Sequence, residues 1–221
     1  MKLIYFIALA LMLSTSAFAQ DIPEQKETTQ VPQSVTLLQV AGQLAKYGYA
    51  EREALPLIQA AEIFQNLAGK ALEAEVEHQG GTSSPEKQEK VSFEPSKLLA
   101  DATEMADGDQ TLLSLIQNVK TSATRGRVDG PVTHKDRVEK GATDIYTISF
   151  RGNEEASVLV IGDGDTDLDL FIYDDNDNFI TSDTDSGDTC LAQWTPRRTG
   201  KFKVKIKNYG NVYNRYTLYV K

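Results

Sequence analysis

Lys201-Phe202-Lys203-Val204-Lys205-Ile206-Lys207 alternates charged and apolar residues without a break. Successive side chains of a β-strand point to opposite faces, so this run predicts a half-buried strand. Phe202, Val204 and Ile206 face inward and four lysines face outward. The lysine row reads most simply as a solvated face or as the guard of a sheet edge. Outward from it, period-two runs recur at residues 144–150, 157–161, 168–173, 179–182, 190–194 and 215–220, with a further strand at Val132–Val138. All are short, and Gly, Asp and Asn separate them. Seven or eight such strands predict an antiparallel sandwich or a jelly roll over residues 128–221.

Upstream the period changes to that of a helix. Val35, Leu38, Ala41, Leu44 and Ala45 share one stripe. After a break at Tyr47-Gly48-Tyr49, Leu55, Ile58, Ala61, Ala68 and Leu72 share another, which extends the helical reading to about residue 78. Pro56 suits the first turn of that second helix, where its missing N–H is harmless. Residues 79–92 (QGGTSSPEKQEKVS) have linker composition. Two shorter helices are expected next, over about 96–106 and then after Asp109 as N-cap. The fold class is therefore α+β and multidomain: a helical unit over 35–123, then the sandwich, with a division near 124–130.

The N-terminus carries Lys2, an apolar run from Leu3 to Leu13, and Ala17-Phe18-Ala19. This pattern predicts a signal peptide over residues 1–19 and a secreted or periplasmic protein. The apolar run falls short of the ~20 residues that a spanning helix needs. Residues 20–34 read as a flexible polar leader. Without Lys2 the chain has 22 basic and 32 acidic residues, a net charge of −10. That disfavours nucleic acid as a partner. Cys190 is the only cysteine, so no intramolecular disulfide can form, and a small buried strand residue is its simplest reading.

The acidity is local. Residues 163–188 (DGDTDLDLFIYDDNDNFITSDTDSGD) hold ten aspartates and no Lys, Arg or Glu. If Ile172 and Ile180 share a buried face, a hairpin pairing Tyr173 with Phe179 sets Asp169 against Asp183 and Asp167 against Asp185. Asp163 and Asp165 lie just beyond. Like charges directly opposite destabilise a hairpin, and Ca²⁺, which takes six to eight oxygens, would offset this. A solvated loop of turn-forming Asp and Asn is the alternative. Asp163, Asp165, Asp167, Asp169, Asp183 and Asp185 are thus the candidate metal ligands. An EF-hand register from Asp163 fails, since Leu168 stands where Gly is required.

The segment from Asp144 to Val220 resembles the bacterial pre-peptidase C-terminal domain. The resemblance rests on the run 144–150 (DIYTISF), the block 164–173 (GDTDLDLFIY), Ser182-Asp183 with Asp185, Trp194-Thr195-Pro196, Gly200 to Val204, and Asn214 to Leu218. It implies a jelly-roll-like sandwich of a kind often placed C-terminal to secreted peptidases. Related collagen-binding modules of clostridial collagenases bind calcium and a fibrous substrate. They draw part of the calcium shell from an acidic segment ahead of the sandwich. The corresponding Val132-Thr133-His134-Lys135-Asp136-Arg137-Val138 lacks that acid cluster. The resemblance does not extend to the helical part.

No His-Glu-x-x-His, Gly-x-Ser-x-Gly or phosphate-loop motif occurs. The two histidines, His78 and His134, lie in neither a zinc motif nor an obvious dyad. The expectation is a non-catalytic protein whose sandwich binds an extracellular or envelope protein or polymer, with Ca²⁺ as a stabilising ion. A structural or accessory envelope protein is the alternative, and a hydrolase accessory subunit is a second. Tyr209, Tyr213 and Tyr219 are the candidate ligand-binding residues, because tyrosines on one solvent face favour binding while burial favours the structural reading.

Overall fold

A computed structural model describes residues 32–67, 69–87, 90–122 and 130–221. The signal peptide, the leader up to residue 31 and most of the division near 124–130 lie outside the described residues. Among the described residues, no helix is long and apolar enough to cross a membrane.

Helix α1 (Gln33–Glu51) runs straight through Tyr47-Gly48-Tyr49, which composition had marked as a break. Gly48 has a packing role instead: a Cβ there would lie 2.6 Å from Leu57 Cδ2 of the next helix. The chain turns only at Arg52, which takes a left-handed conformation (φ 58°), and the Glu53 N–H closes onto the Gly48 carbonyl. Helix α2 (Ala54–Leu67) carries Pro56 in its first turn as expected, but stops about ten residues earlier than the apolar stripe suggested. Its continuation is extended. Leu72 N–H bonds to Thr133 O, and Thr133 N–H bonds to Lys70 O.

The chain then forms strand β1 (Val76–Thr82). This corrects the linker reading of 79–92. The strand gives no sequence signal because its side chains are almost all exposed, so its pairing rests on backbone hydrogen bonds rather than an apolar face. Gly80 and Gly81, both at positive φ (69° and 76°), lie in its last three residues, where β1 is still paired with β3. Helices α3 (Pro95–Met105) and α4 (Gln110–Ser122) follow. Asp109 Oδ1 accepts from the N–H groups of Thr111 and Leu112, the N-cap expected from its position.

Eight strands complete the molecule: β2 (Val132–Val138), β3 (Lys140–Phe150), β4 (Ala156–Gly162), β5 (Leu168–Asp174), β6 (Phe179–Asp183), β7 (Thr189–Trp194), β8 (Gly200–Asn208) and β9 (Asn214–Val220). They form two antiparallel sheets, in the orders β1-β3-β8-β5-β6 and β2-β9-β4-β7. The sheets face each other over a core that includes Tyr146, Val158, Val160, Leu170, Ile172, Val204, Ile206 and Leu218. Phe150 meets Trp194 and Phe202 edge-to-face, with centroids 4.7 and 5.7 Å apart, and Trp194 and Phe202 are tilted to each other at 5.6 Å. Aromatic pairs of this geometry contribute ~0.5–1.5 kcal/mol beyond their area burial.

The helices bury a second core against the outer face of the four-stranded sheet. Leu159, Ile161 and Tyr219 of the sheet join Leu38, Leu57, Phe64 and Leu98 of the helices. Phe64 stacks on Tyr219 with centroids 6.3 Å apart and planes 6° from parallel. Gly42 lets α1 approach closely, since a Cβ there would lie 2.9 Å from Ile161 Cγ2.

Candidate functional site

The six candidate carboxylates lie between β4 and β5, at the start of β5 and at or just after the end of β6, and several of them already have protein partners. The β5–β6 hairpin keeps the Tyr173–Phe179 pair, but a bulge then inserts one residue. Ile172 pairs with Thr181 and Leu170 with Asp183, so the register shifts by one residue between Tyr173 and Ile172. Asp183 therefore does not face Asp169, a correction to the expected pairing, which an unbroken ladder from Tyr173 and Phe179 would have required. Asp183 points between the sheets. Its Oδ2 accepts the Leu191 N–H at 2.7 Å and ties the edge strand β6 to the edge strand β7.

Asp163 and Asp165 are held by lysines from the segment after β1. Lys87 Nζ lies 2.9 Å from Asp163 Oδ2 and also pairs with Asp165, while Lys90 reaches Asp165 at 3.4 Å. Burial pushes the Asp165 carboxyl up, but the hydrogen bond and charge of Lys87, aided by Lys90, hold it below its ordinary value. The backbone around Lys87 is itself docked. Its N–H donates to Tyr213 Oη at 3.0 Å, and Glu86 pairs with Arg137 and Arg215.

Asp188 is buried and pairs with Lys46 of α1 at 2.5 Å. Asp167 accepts the Gly187 N–H at 2.7 Å. Burial and the neighbouring Asp167 push the Asp169 carboxyl up, Lys207 opposes them, and Asp183 adds to the rise. Asp185 is exposed. Sequence reasoning placed the acidic residues at one end of the sandwich, but it could not supply Lys46 and Lys87, because no local pattern links them to residues more than 70 positions away.

The three tyrosines do not share a solvent face. Tyr213 and Tyr219 are buried, and Tyr209 is 53% exposed. Tyr219 belongs to the helix-facing core and Tyr213 receives the Lys87 segment. Cys190 is buried, with Sγ 3.0 Å from the Leu168 carbonyl. Burial and nearby aspartates push its thiol up, away from the reactive thiolate.

A different surface gathers exposed aromatic and cationic groups. Strand β8 is the middle strand of the five-stranded sheet, so its lysine row guards no edge. Register places Lys203 between Thr147 and Tyr173, Lys205 between Ile145 and Phe171, and Lys207 between Thr143 and Asp169. Tyr173 in turn neighbours Phe179, which is 58% exposed. Lys205 Nζ sits 4.4 Å above the Tyr173 ring, and Lys207 Nζ sits 4.1 Å above Tyr209. Lys203 also pairs with Asp177 at 2.7 Å, which holds that carboxyl low. The signal for this face was present in the lysine alternation. What the sequence did not reveal was that β8 is central and that aromatic residues flank it.

No protein-family model matches the chain, and no curated protein matches it. Among solved structures, it is similar to the pre-peptidase C-terminal domain of a collagenase from Bacillus anthracis, at 21% identity over 41% of this chain and 89% of that one, with a TM-score of 0.37. It is also similar to PliG of Aeromonas hydrophila, a periplasmic inhibitor of g-type lysozyme, at 12% identity over 44% of this chain and 93% of that one, with a TM-score of 0.34. The capsular polysaccharide assembling protein CapF from Staphylococcus aureus matches at 12% identity over 52% of this chain and 37% of its own, with a TM-score of 0.23. The C-terminal part of the chain resembles the pre-peptidase C-terminal domain.

Proposed function

We propose that the protein is a secreted, non-catalytic binding module that engages an anionic extracellular polysaccharide through the outer face of its five-stranded sheet. The observation that carries this reading is the row Lys201, Lys203, Lys205 and Lys207 in the middle of an uncovered sheet, flanked by Phe171, Tyr173, Phe179 and Tyr209. Alternate residues on a strand stand ~6.6–6.8 Å apart, so the row spans about 20 Å of extended polymer. Lysine is depleted at protein–protein interfaces relative to the rest of the surface. A lysine row therefore favours a polyanion over a protein partner. Aromatic rings beside ammonium groups, Tyr173 under Lys205 and Tyr209 under Lys207, suit sugar rings bearing carboxylates.

The test is affinity electrophoresis of the full chain through gels containing polygalacturonate or neutral dextran. Retardation is expected with polygalacturonate alone and should weaken as salt is raised. Replacing all four lysines by Gln should lower affinity by more than about tenfold, at ~0.5 kcal/mol per exposed charge. Equal retardation of wild type and the quadruple variant, or none in either, would sink this reading and return the module to a structural envelope role. In the same reading, Ca²⁺ would act as a stabilising ion where Asp167 and Asp183 both raise the Asp169 carboxyl. A melting temperature raised in millimolar Ca²⁺ supports this addition, and an unchanged one removes it.

A further inference from the structure

The two histidines lie on edge strands of different sheets, and each pairs with an aspartate that is bonded to Tyr146 or Tyr216. His78 lies on β1 opposite Asp144 of β3. Its Nδ1 is 2.7 Å from Asp144 Oδ1. His134 of β2 lies 3.7 Å from Asp136 Oδ2 and packs edge-on against Tyr146. Ligand atoms of His78, Asp136 and Asp144 all lie within 4.8 Å of one another. Among the described residues, no other group of three His, Cys, Asp or Glu side chains meets that condition.

The carboxylates are oriented from behind. Tyr216 Oη donates to Asp144 Oδ2 at 2.8 Å. Tyr146 Oη lies 2.5 Å from Tyr216 Oη and 3.4 Å from Asp136 Oδ2. Asp144 is fully buried, whereas the His78 side chain is 55% exposed on an edge strand. One partner is fixed and the other can retreat.

We infer that His78, Asp136 and Asp144 form a binding site for a first-row divalent transition metal, one that is separate from the acidic segment. One imidazole and two carboxylates are a donor set suited to Zn²⁺, Mn²⁺ or Co²⁺. Ca²⁺, which is held by oxygen ligands, is poorly matched to it. The His78–Asp144 hydrogen bond is the metal-free form, in which a proton occupies the place of the ion. Ligand atoms each ~2.0–2.2 Å from one metal stand about 3–3.5 Å apart. The His78 ring therefore moves outward by about half an ångström on binding, and its proton leaves to solvent. Tyr216 and Tyr146 keep the carboxylates aimed, as outer-shell partners of metal ligands do. The remaining coordination positions face water on the His78 side.

The experiment is titration of the full chain, stripped with chelator, with Co²⁺, read by visible d–d absorption, followed by displacement with Zn²⁺. One equivalent is expected, and excess Ca²⁺ should not displace it. His78→Ala and Asp136→Asn should each weaken binding at least as much as the ~10–100-fold lost when an outer-shell partner is removed. These two positions are used because Asp144→Asn is at risk of misfolding. Asp169→Asn, in the acidic segment, should leave the Co²⁺ spectrum unchanged. No Co²⁺ signal in wild type, or an undiminished one in both His78→Ala and Asp136→Asn, would overturn the site and leave a structural hydrogen-bond network. A signal lost in Asp169→Asn instead would also overturn it, by moving the metal to the acidic segment.

Discussion

Strands β4 and β8 are both interior strands, one in each sheet, and they differ on their outer faces. Every residue of β4 is buried: Val158 and Val160 face the sandwich core, while Leu159 and Ile161 face the helices. Only the inward residues of β8 are buried, and four lysines occupy its other face. The difference can be read from period. A strand covered on both sides loses its alternation and becomes a continuous apolar run, whereas one open to solvent keeps it. Helices are recruited where alternation fails. The surface left open is where a ligand can reach the sheet.

The largest effect should follow from uncovering β4. A fragment of residues 130–221 exposes Leu159, Ile161 and Tyr219, loses β1, and leaves Asp163 and Asp188 without Lys87 and Lys46. It is expected to associate or to lack a cooperative urea transition. A monomeric fragment with a sharp transition would show that the two units fold independently. Within the full chain, Phe64→Ala should cost ~3–5 kcal/mol, because it empties the stack on Tyr219. Urea denaturation measures this, and a loss under ~1 kcal/mol would mean that the helices only rest on the sheet.

Lys87→Met should cost about 3 kcal/mol by stranding the buried Asp163 carboxylate, at the low end of such changes because the Arg215 N–H still donates to it. The sign with pH follows from Asp165. Its folded pKa is depressed, so the stability it contributes is present above its ordinary value near 4 and lost as pH falls through the folded one. The gap between wild type and Lys87→Met should therefore narrow from about pH 5 towards pH 3. The smallest effect is expected on the open face. Lys203→Gln or Lys205→Gln should change stability by less than about 0.5 kcal/mol. A large loss at either would contradict the contrast between the two strands.

The strands were legible because their apolar faces are periodic, and all eight expected strands occur within a few residues of their predicted limits. The helices were legible for the same reason. Gly48 was misread, since a glycine that admits Leu57 looks in sequence like one that breaks a helix. Strand β1 was missed because pairing through the backbone leaves no side-chain pattern. The register shift between Tyr173 and Ile172 was equally silent, and it alone undid the predicted facing of Asp169 and Asp183. The continuous run 157–161 could have announced the helical cover, had its lack of alternation been read as burial on two sides. Contacts between His78 and Asp144, or Lys46 and Asp188, are set by topology and leave no local trace.

Strand β1 has a consequence for the order of assembly. Synthesis proceeds from the N-terminus, so Val76–Thr82 emerges some 60 residues before its partner β3, and β3 in turn waits for β8 near the end of the chain. During that interval the segment is an unmated edge, the kind of element that seeds association between chains. Its residues, Val-Glu-His-Gln-Gly-Gly-Thr, include only one apolar side chain. The composition that hid the strand from sequence reading also keeps it inert while it waits, so a Gln79→Val or Glu77→Ile change would leave the finished fold intact and still lower the yield of soluble chain.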